Sequence, residues 1–381
     1  MGEASDHRDL PFRQGRVAYI GVVVYVGVLD RSPGSLDALA AKALREASIP
    51  GIAIAVVRSG GPTICRAYGL ACRRPAIAAT PSTPFFAASV SKPVVAAVIE
   101  ALVERRMVTL DADVGSILPR PFRNPAFSSD PITLRMLLQH RASLLDEPSW
   151  TDRAYSVGDH DVSLSEWLTE YFQPRGAGGL RGHGPERPGS FVRYSNVGYA
   201  VAAWVAEVAA AMPFDRLAHA LVFEPLGMTR SSFRLRDVLG SRPAVPYTGP
   251  GGSRLRAVEH YGYPFYPAGT LRTSVEDLAR FVRCMLDEGA FEGANLLAPE
   301  TVTEMLPLEG TGLGWARFPA LGRFVKGHEG ADIGAGARVT VDLERRLGVV
   351  VLGNAEWTAS ESRSRPVETL EAAALAFAAG E

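Results

Sequence analysis

The chain has 381 residues, with 40 Lys+Arg against 41 Asp+Glu, so its formal net charge is −1. This balance argues against partners that are recognised through a concentrated basic surface, namely nucleic acids and anionic membranes. Hydrophobic residues make up 47% and charged residues 21%, which excludes disordered and fibrous classes and predicts a sizeable core.

Two residue types are used sparingly. Lysine occurs only at Lys42, Lys92 and Lys326, and arginine supplies the other basic residues. The cysteines number three, at unrelated spacings, and no Cys/His cluster has the spacing of a zinc site. We therefore expect no disulfide framework, no bound metal and no cofactor.

The N-terminal residues 1–33 are predicted to form an extension before the main domain. Val17–Leu29 is an apolar run preceded by Arg13 and Arg16. Acidic residues upstream and the lack of a small-residue cleavage site favour a strand over an export signal. The run is also too short to span a bilayer as a helix. These features predict a cytoplasmic protein without a membrane span.

The next elements along the chain are a helix and a hairpin. Ser35–Ala47 has helical spacing of apolar residues and opens on a Ser N-cap. Ile52–Arg58 and Thr63–Gly69 are rich in β-branched residues and flank a Ser-Gly-Gly-Pro turn, which predicts two paired strands.

The middle of the chain is predicted to be helical. Five segments carry helical periodicity: Lys92–Val108, Thr133–His140, Ser163–Tyr171, Asn196–Met212 and Ser274–Glu288. Two of them open on the pattern of a capping box, Ser163 with Glu166 and Ser274 with Asp277.

Strands return near the C-terminus, over Ala335–Asp342 and Arg346–Leu352, before a final helix over Glu361–Ala379. The fold class predicted is α+β, with one antiparallel sheet built from both chain ends and flanked by helices. We expect one domain over 34–381, with an α/β lobe over 34–88 and 310–381 and a helical lobe over 89–309. A cleft between the lobes is the natural place for a ligand.

Three short motifs carry chemistry, and the first is Ser89-Val90-Ser91-Lys92. Lys92 stands three residues after Ser89, so on a helix the two share a face. A serine hydroxyl needs a base to become a nucleophile, and a desolvated lysine can act as one whereas arginine cannot. The competing interpretation makes Ser89 an N-cap and Lys92 a solvated first-turn residue.

The second motif is Tyr194-Ser195-Asn196. A phenol that shuttles protons needs cationic neighbours, and Lys92 is a candidate for that neighbour. The amide of Asn196 can contact a substrate carbonyl or hold Lys92 in place. In isolation this tripeptide is better interpreted as a loop tyrosine packed on its neighbour, with Asn196 as a helix cap.

The third motif is Gly327-His328-Glu329-Gly330. Small residues let a strand edge approach bound substrate, which leaves a backbone N–H free to face a developing oxyanion. His328 is predicted to contact the same ligand. A metal site at His328 and Glu329 is disfavoured, because neighbouring strand residues point to opposite faces.

The order Ser-x-x-Lys, Tyr-x-Asn, His-x-Gly resembles the serine β-lactamase and penicillin-recognising superfamily, especially class C β-lactamases and the related esterases with His in the third motif. The resemblance extends from Leu36 to the C-terminal helix. It includes Pro50-Gly51, Leu137-Leu138-Gln139-His140, Glu224-Pro225-Leu226-Gly227-Met228 and Gly312-Leu313-Gly314-Trp315.

Specific roles follow from the resemblance. It implies that Ser89 is the acyl-accepting nucleophile, Lys92 its base partner and Tyr194 the general base and later acid. It also implies that Asn196 is a polar contact in the cleft and that His328 occupies the third-motif position. The oxyanion hole would use backbone N–H groups of Ser89 and Ala331, with Gly330 beside it. Separately, aromatic residues near the motifs predict an apolar or aromatic acyl pocket, with Trp315 expected to contact substrate; they are Trp150, Tyr155, Tyr263, Phe265, Tyr266 and Trp315.

Two departures from the family pattern stand out. His140-Arg141-Ala142-Ser143 replaces the usual His-Thr-Ser-Gly, so that loop is expected to differ in shape. His328 replaces the usual lysine, which weakens the case for binding a β-lactam carboxylate. Lys326, two residues earlier, is read either as a partial replacement or as a solvated edge residue.

The function expected is therefore that of a serine hydrolase acting through an acyl-enzyme on a small-molecule ester, amide or lactam. Carboxylesterase, β-lactamase, amidase or peptidase for D-amino-acid derivatives, and biosynthetic acyltransferase all remain open. A catalytically silent ligand-binding protein is the alternative from another class. An α/β-hydrolase is disfavoured, because the chain has no Gly-x-Ser-x-Gly. The oligomeric state is left open.

Overall fold

Strands from the two ends of the chain lie side by side in one sheet. The computed structural model describes residues 15–19, 22–26, 35–173, 182–250, 254–320, 323–358 and 360–379. The strands in these ranges are β1 Gly15–Tyr19, β2 Val22–Val26, β3 Gly51–Arg58, β4 Thr63–Arg73, β5 Ala76–Ala78, β6 Phe85–Phe86, β7 Ser156–Val157, β8 Tyr247–Thr248, β9 Arg256–Ala257, β10 Tyr261–Gly262, β11 Arg272–Thr273, β12 Ala290–Phe291, β13 Ala294–Asn295, β14 Ala316–Ala320, β15 Arg323–Asp332, β16 Ala335–Asp342 and β17 Leu347–Gly353.

Nine of the eleven α-helices in the described ranges lie between β6 and β14. The helices in the described ranges are α1 Leu36–Glu46, α2 Ser91–Glu104, α3 Leu134–Leu138, α4 Pro148–Thr151, α5 Leu164–Tyr171, α6 Asn196–Ala210, α7 Phe214–Ala218, α8 Leu235–Val238, α9 Val275–Leu286, α10 Pro299–Met305 and α11 Glu361–Ala379. This confirms the α+β class with helices inserted between the two halves of a sheet.

The sheet joins N-terminal and C-terminal strands at the β3–β17 seam. Its order is β1-β2-β4-β3-β17-β16-β15-β14, with β5 paired to β4. Gly353 pairs with Ile52 and Leu347 with Arg58, so the last strand runs antiparallel along β3. The expected sheet built from both chain ends is thus confirmed, with one exception to the antiparallel pattern, since β2 runs parallel to β4.

Strand β3 shows why both faces of the sheet are covered. Ala53, Ala55 and Val57 belong to one buried cluster, which lies towards the inserted helices. The alternating residues Ile52, Ile54 and Val56 belong to a second cluster, under α1 and α11. Because successive strand residues point to opposite faces, a strand buried on both sides is apolar at nearly every position.

The N-terminal apolar run is extended where the structure describes it. β1 and β2 form an antiparallel pair, and β2 continues the sheet beside β4. Part of Val17–Leu29 and most of residues 1–33 lie outside the described residues. Among the described helices, none alone is long and apolar enough to cross a membrane. In the described part of the chain, one bent pair, α6 with Phe214–Phe223, has the length and composition of a membrane span, and α6 is largely buried inside the fold.

Local backbone geometry explains where predicted helices end early. The helix predicted over Lys92–Val108 ends at Glu104, and Arg106 has a φ of 58°. The helix predicted to reach Met212 ends at Ala210, because Ala211 adopts a left-handed φ of 50°. A residue in this conformation cannot continue a right-handed helix.

One of the two predicted capping boxes is wrong. At α5 the box is complete, since Ser163 and Glu166 each accept from the other's backbone N–H. At α9, Ser274 accepts from the Asp277 N–H at 3.1 Å. The Asp277 carboxylate instead accepts from the Ser231 hydroxyl at 2.8 Å and from the Arg230 N–H at 2.7 Å, so it ties α9 to another segment.

Candidate active site

Ser89 lies in a strained turn immediately before α2. The 3₁₀ turn Ala88–Val90 contains it, and Ala88 has a φ of 46°, a left-handed value that residues other than glycine seldom adopt. Ser91 secures the turn: its hydroxyl donates to the Ala88 carbonyl at 2.6 Å and accepts from the Leu271 N–H at 3.1 Å. Strain of this kind persists only where neighbouring groups enforce it, and it is common at functional sites.

The Lys92 amine is fully buried below Ser89. Its Nζ lies 3.0 Å from Ser89 Oγ, 2.8 Å from Asn196 Oδ1 and 2.7 Å from the Ala268 carbonyl oxygen. The side chain is 0% exposed, so Lys92 is not the solvated residue of the competing interpretation. Burial lowers the pKa of Lys92 to about 7, although Asp146 and Asp332 nearby oppose this shift.

The three partners of Lys92 determine where its lone pair points. The Asn196 and Ala268 oxygens are carbonyl oxygens, which only accept hydrogen bonds. In the neutral amine, two N–H groups are therefore used on these oxygens, and the lone pair faces the Ser89 hydroxyl. With a pKa near neutrality, the amine is able to accept the serine proton at physiological pH.

Tyr194 contacts the same serine from the other side. Its hydroxyl donates to Ser89 Oγ at 2.8 Å. The side chain forms part of the cleft wall and is 49% exposed, yet desolvation raises the pKa of the phenol above its ordinary value. The resting group is therefore a neutral phenol. The resemblance implies that Tyr194 is the general base, whereas in this geometry the neutral amine of Lys92 is the group able to take the Ser89 proton.

Asp146 organises the Tyr-x-Asn motif, and no sequence pattern singles it out. Its carboxylate accepts four hydrogen bonds, all of 2.8–2.9 Å, from the Ser195 hydroxyl, the Asn196 amide, and the backbone N–H groups of Asn196 and Val197. A carboxylate at the start of α6 also complements the helix dipole. Because the Asn196 Nδ2 donates to Asp146, its Oδ1 must face Lys92.

Two neutral histidines flank Tyr194. The His140 ring lies 4.4 Å from the Tyr194 ring and the His328 ring 6.4 Å from it, centroid to centroid. Burial lowers the pKa of His140 well below its usual value and that of His328 to about 3, with the Lys92 charge acting in the same direction. Both imidazoles are therefore uncharged near neutral pH.

Backbone hydrogen-bond partners identify which ring nitrogen of each histidine carries the proton. His328 Nδ1 lies 2.8 Å from the Glu329 carbonyl oxygen, which only accepts, so Nδ1 carries the proton and Nε2 is free of one. His140 Nδ1 accepts from the Ser195 N–H at 3.1 Å, which places its proton on Nε2. The cleft thus has one imidazole donor and one imidazole acceptor.

Strand β15 lies directly against the turn that bears Ser89. A Cβ on Gly330 would overlap the Ala87 carbonyl oxygen and lie 3.2 Å from the Ser89 nitrogen. Glycine is therefore required for this approach. Ala331 follows on the same strand and lines the cleft beside Ser89.

A cleft of about 550 Å³ opens over these groups. Besides Ser89, Tyr194, Asn196, His140 and His328, its lining includes Leu138, Gln139, Val192, Thr311, Gly312, Gly314, Trp315, Ala316, Phe318, Glu329, Ala331 and Thr358. Among the described residues, no group of three or more His, Cys, Asp or Glu side chains is arranged to hold a metal ion.

The aromatic residues expected near the site divide into two sets. Trp315 lines the cleft and stacks on Phe281, with ring centroids 6.3 Å apart. The others expected beside it, such as Tyr155 and Tyr263, do not line the cleft. Tyr155 and Tyr263 donate to Asp332 at 3.2 and 3.3 Å. The apolar wall is completed by Leu138, which belongs to the Leu137-Leu138-Gln139-His140 segment of the resemblance, and by Val192 and Phe318, which belong to none of the motifs.

Lys326 is neither a solvated edge residue nor part of the cleft lining. Its side chain is buried and its Nζ donates to the Gly310 carbonyl oxygen at 2.8 Å. Gly310 directly precedes the cleft residues Thr311 and Gly312. Lys326 therefore anchors the loop that forms one wall of the cleft.

Comparison with known proteins agrees with this geometry. A family model described as Beta-lactamase matches residues 36–374. The chain belongs to the beta-lactamase family. Esterase EstB of Burkholderia gladioli is 34% identical over 220 residues, which cover 56% of this chain and 54% of EstB. Protein flp of Staphylococcus aureus (strain MRSA252) is 23% identical over 256 residues, 67% of this chain and 49% of flp. The chain spans about half the length of each of these two relatives.

Solved structures show the same fold. The octameric penicillin-binding protein homologue from Pyrococcus abyssi superposes with a TM-score of 0.74 at 23% identity, covering 92% of this chain and 78% of that protein. A class C beta-lactamase gives a TM-score of 0.71 at 18% identity, covering 90% and 94%. The resemblance inferred from the three motifs is confirmed, and the chain is a β-lactamase-like member of the serine hydrolase family.

Proposed function

We propose that this protein is a serine hydrolase that acts on an ester or amide of a small molecule through an acyl-enzyme at Ser89. The observation that carries the proposal is the convergence of two proton-transfer groups on one oxygen. Lys92 Nζ and the Tyr194 hydroxyl lie 3.0 and 2.8 Å from Ser89 Oγ, from different directions. EstB, an esterase by name, is among the relatives and supports ester substrates.

In the first half-reaction, Ser89 Oγ forms a bond to the substrate carbonyl carbon. Its proton passes to the neutral Lys92 amine, whose lone pair faces the hydroxyl. The carbonyl π electrons move onto oxygen, and the resulting oxyanion is stabilised by the backbone N–H groups of Ser89 and Ala331. Preorganised donors of this kind contribute about 10²- to 10³-fold in rate.

Collapse of the tetrahedral intermediate expels the leaving group. Tyr194, a neutral phenol in contact with the reacting oxygen, gives its proton to the leaving oxygen or nitrogen and recovers one from the Lys92 ammonium. In the second half-reaction a water attacks the acyl carbon, and the same groups work in reverse. An alcohol or amine in place of water completes an acyl transfer by the same steps.

A silent ligand-binding protein is the weaker explanation. Such a protein has no need for a fully buried lysine, because burial of an amine carries a desolvation cost. Lys92 is 0% exposed and is held by three oxygens, which is an arrangement suited to a base.

The test is incubation with 4-nitrophenyl esters, β-lactams and D-amino-acid amides, followed by turnover measurement and intact-mass analysis. We expect a covalent acyl adduct in the native protein and its loss in Ser89→Ala, while the exposed-surface control Ser362→Ala behaves as native. Added alcohol or amine measures how the adduct partitions between water and another acceptor. Full turnover by Ser89→Ala with no adduct in the native protein would refute the proposal.

A further inference from the structure

The charge of the cleft is defined by what its lining contains. Among the described residues that line it, none is lysine or arginine, and Glu329 is the one with a formal charge near neutral pH. Its apolar wall is formed by Leu138, Val192 and Phe318. A ligand in this space therefore meets neutral donors, neutral acceptors and hydrocarbon.

Three cations close to the cleft are already engaged. Lys92 lies under the cleft floor, where three protein oxygens take up all directions of its amine. Lys326 is buried and donates to the Gly310 carbonyl. Arg338 pairs at 2.9 Å with both Glu329 and the buried Glu371, so its charge is compensated.

The two imidazoles do not supply the missing charge. His328 and His140 each have one ring nitrogen fixed by a backbone group, and each is neutral. Protonation of either would place a cation in a desolvated position close to Lys92, which the lowered pKa values of both rings reflect. Other charged groups close to Lys92, Asp146 and Asp332, are anionic and repel a further negative charge.

We propose that the cleft selects uncharged acyl esters and amides and discriminates against substrates that place a carboxylate inside it. The inference rests on the proposed function and adds the charge class of its substrate. A carboxylate entering the cleft would lose hydration without gaining a counter-ion, and a buried unpaired charge is strongly unfavourable. It would also stabilise the protonated form of Lys92 and so deprive Ser89 of its base.

The experiment compares two substrates that differ by one charge, mono-4-nitrophenyl adipate and its methyl ester. At neutral pH we expect kcat/KM for the methyl ester to exceed that for the carboxylate by about 100-fold, the order expected when a charge is desolvated without a partner. Rates in Ser89→Ala serve as the uncatalysed background, and intact mass confirms that acylation occurs at all.

A second test adds a cation to the cleft lining and compares it with the same charge added outside the cleft. His328→Lys is expected to shift the ratio of the two kcat/KM values towards the carboxylate by at least about tenfold, the equivalent of one modest ion pair. Leu308→Lys adds the same charge at a residue that is 68% exposed and outside the cleft lining, and it should leave the ratio within about twofold. If His328→Lys fails to fold by circular dichroism, Thr311→Lys, also on the lining, replaces it.

The possible results distinguish a failure of the charge inference from a failure of the proposed function. Acylation of Ser89 by both esters at rates within about threefold of one another would overturn the charge inference while leaving the proposed function standing. An equal shift of the ratio in Leu308→Lys and His328→Lys would likewise overturn it. No acylation of Ser89 by either ester, at any concentration, would remove the proposed function and the inference together.

Discussion

The three lysines of this arginine-rich chain have different surroundings. Lys42 is exposed on α1, Lys326 anchors a loop through the Gly310 carbonyl, and Lys92 is buried against Ser89. Only an amine that can lose its proton is useful at the last position, and the guanidinium of arginine cannot do so. Desolvation is what brings the pKa of Lys92 to about 7.

Asp146 is the residue on which the arrangement of Asn196 depends. Asp146→Asn would exchange an acceptor-only carboxylate for an amide that donates from one end, and four donors now converge on the carboxylate. Asn196 would then lose the bond that turns its Oδ1 towards Lys92. We expect kcat to fall by about 10- to 100-fold with KM nearly unchanged, since the effect is on chemistry more than on substrate binding.

Steady-state kinetics check this, with Asp161→Asn as the control on an exposed carboxylate. A kcat within about twofold of native for Asp146→Asn would contradict a positioning role for the carboxylate. A rise in KM alone would point to substrate binding instead.

Some of these site residues are predictable from the sequence and others are not. Ser89 and Lys92 are three residues apart, so helix geometry predicts their contact. Tyr194 lies 105 residues from Ser89, and only the resemblance to a known family placed the two together. Asp146 gave no signal, because its partners lie about 50 residues downstream and their contact exists only in the folded chain.

At the scale of elements, the decisive contact is between β15 and the turn before α2. Gly330 permits this approach, since any side chain there meets the Ala87 carbonyl oxygen. Gly330→Ala should therefore push β15 away from Ser89 and displace the Ala331 N–H. We expect a loss of about 10²-fold or more in kcat, together with a stability loss of about 1–3 kcal/mol.

Gly240→Ala is the matched control, because a Cβ at Gly240 meets nothing within 4 Å. Measuring the turnover rate and the thermal unfolding midpoint of both variants distinguishes a local displacement of β15 from a general cost of replacing glycine by alanine. Native turnover in Gly330→Ala would show that β15 does not form part of the oxyanion site.

The strands and helices themselves were largely predictable. Ala335–Asp342 and Glu361–Ala379 have the bounds that their periodicity predicts, because local pattern and tertiary burial agree there. The predictions were wrong mainly at helix ends and caps. At Ala211 the backbone conformation ends the helix, and at Asp277 a distant partner, Ser231, takes the place of the predicted cap contact. The hydrophobic pattern of the sequence predicts whether a segment is a helix or a strand, but it does not predict the contacts at which that segment ends.

For the whole molecule, the sheet separates two cores with different roles. The cluster towards the inserted helices supports Ser89, whereas the cluster under α1 and α11 lies on the opposite face. Leu370, on α11, belongs to the second cluster and is fully buried.

Leu370→Ala should lower the free energy of unfolding by about 2–5 kcal/mol, the usual cost of truncating a fully buried leucine. Specific activity per folded molecule should stay close to native, because the site lies across the sheet. Chemical denaturation together with active-site titration checks both, and Phe377→Ala, at a side chain 53% exposed, should change stability by less than about 0.5 kcal/mol. A large loss of activity in the folded fraction would show that the two faces are coupled.

The central claim is that a neutral Lys92 removes the proton of Ser89 as the acyl-enzyme forms. Single-turnover acylation by a 4-nitrophenyl ester, followed from about pH 5 to about pH 9 with peptide mapping of the adduct, tests it directly. Because the pKa of Lys92 is lowered to about 7, the rate should rise with pH through a midpoint near 7 and then level off, since the phenol of Tyr194 titrates above this range. Lys92→Arg should reduce the plateau by about 10²- to 10³-fold. A rate that is flat across this pH range, or an adduct mapped to a residue other than Ser89, would contradict the account.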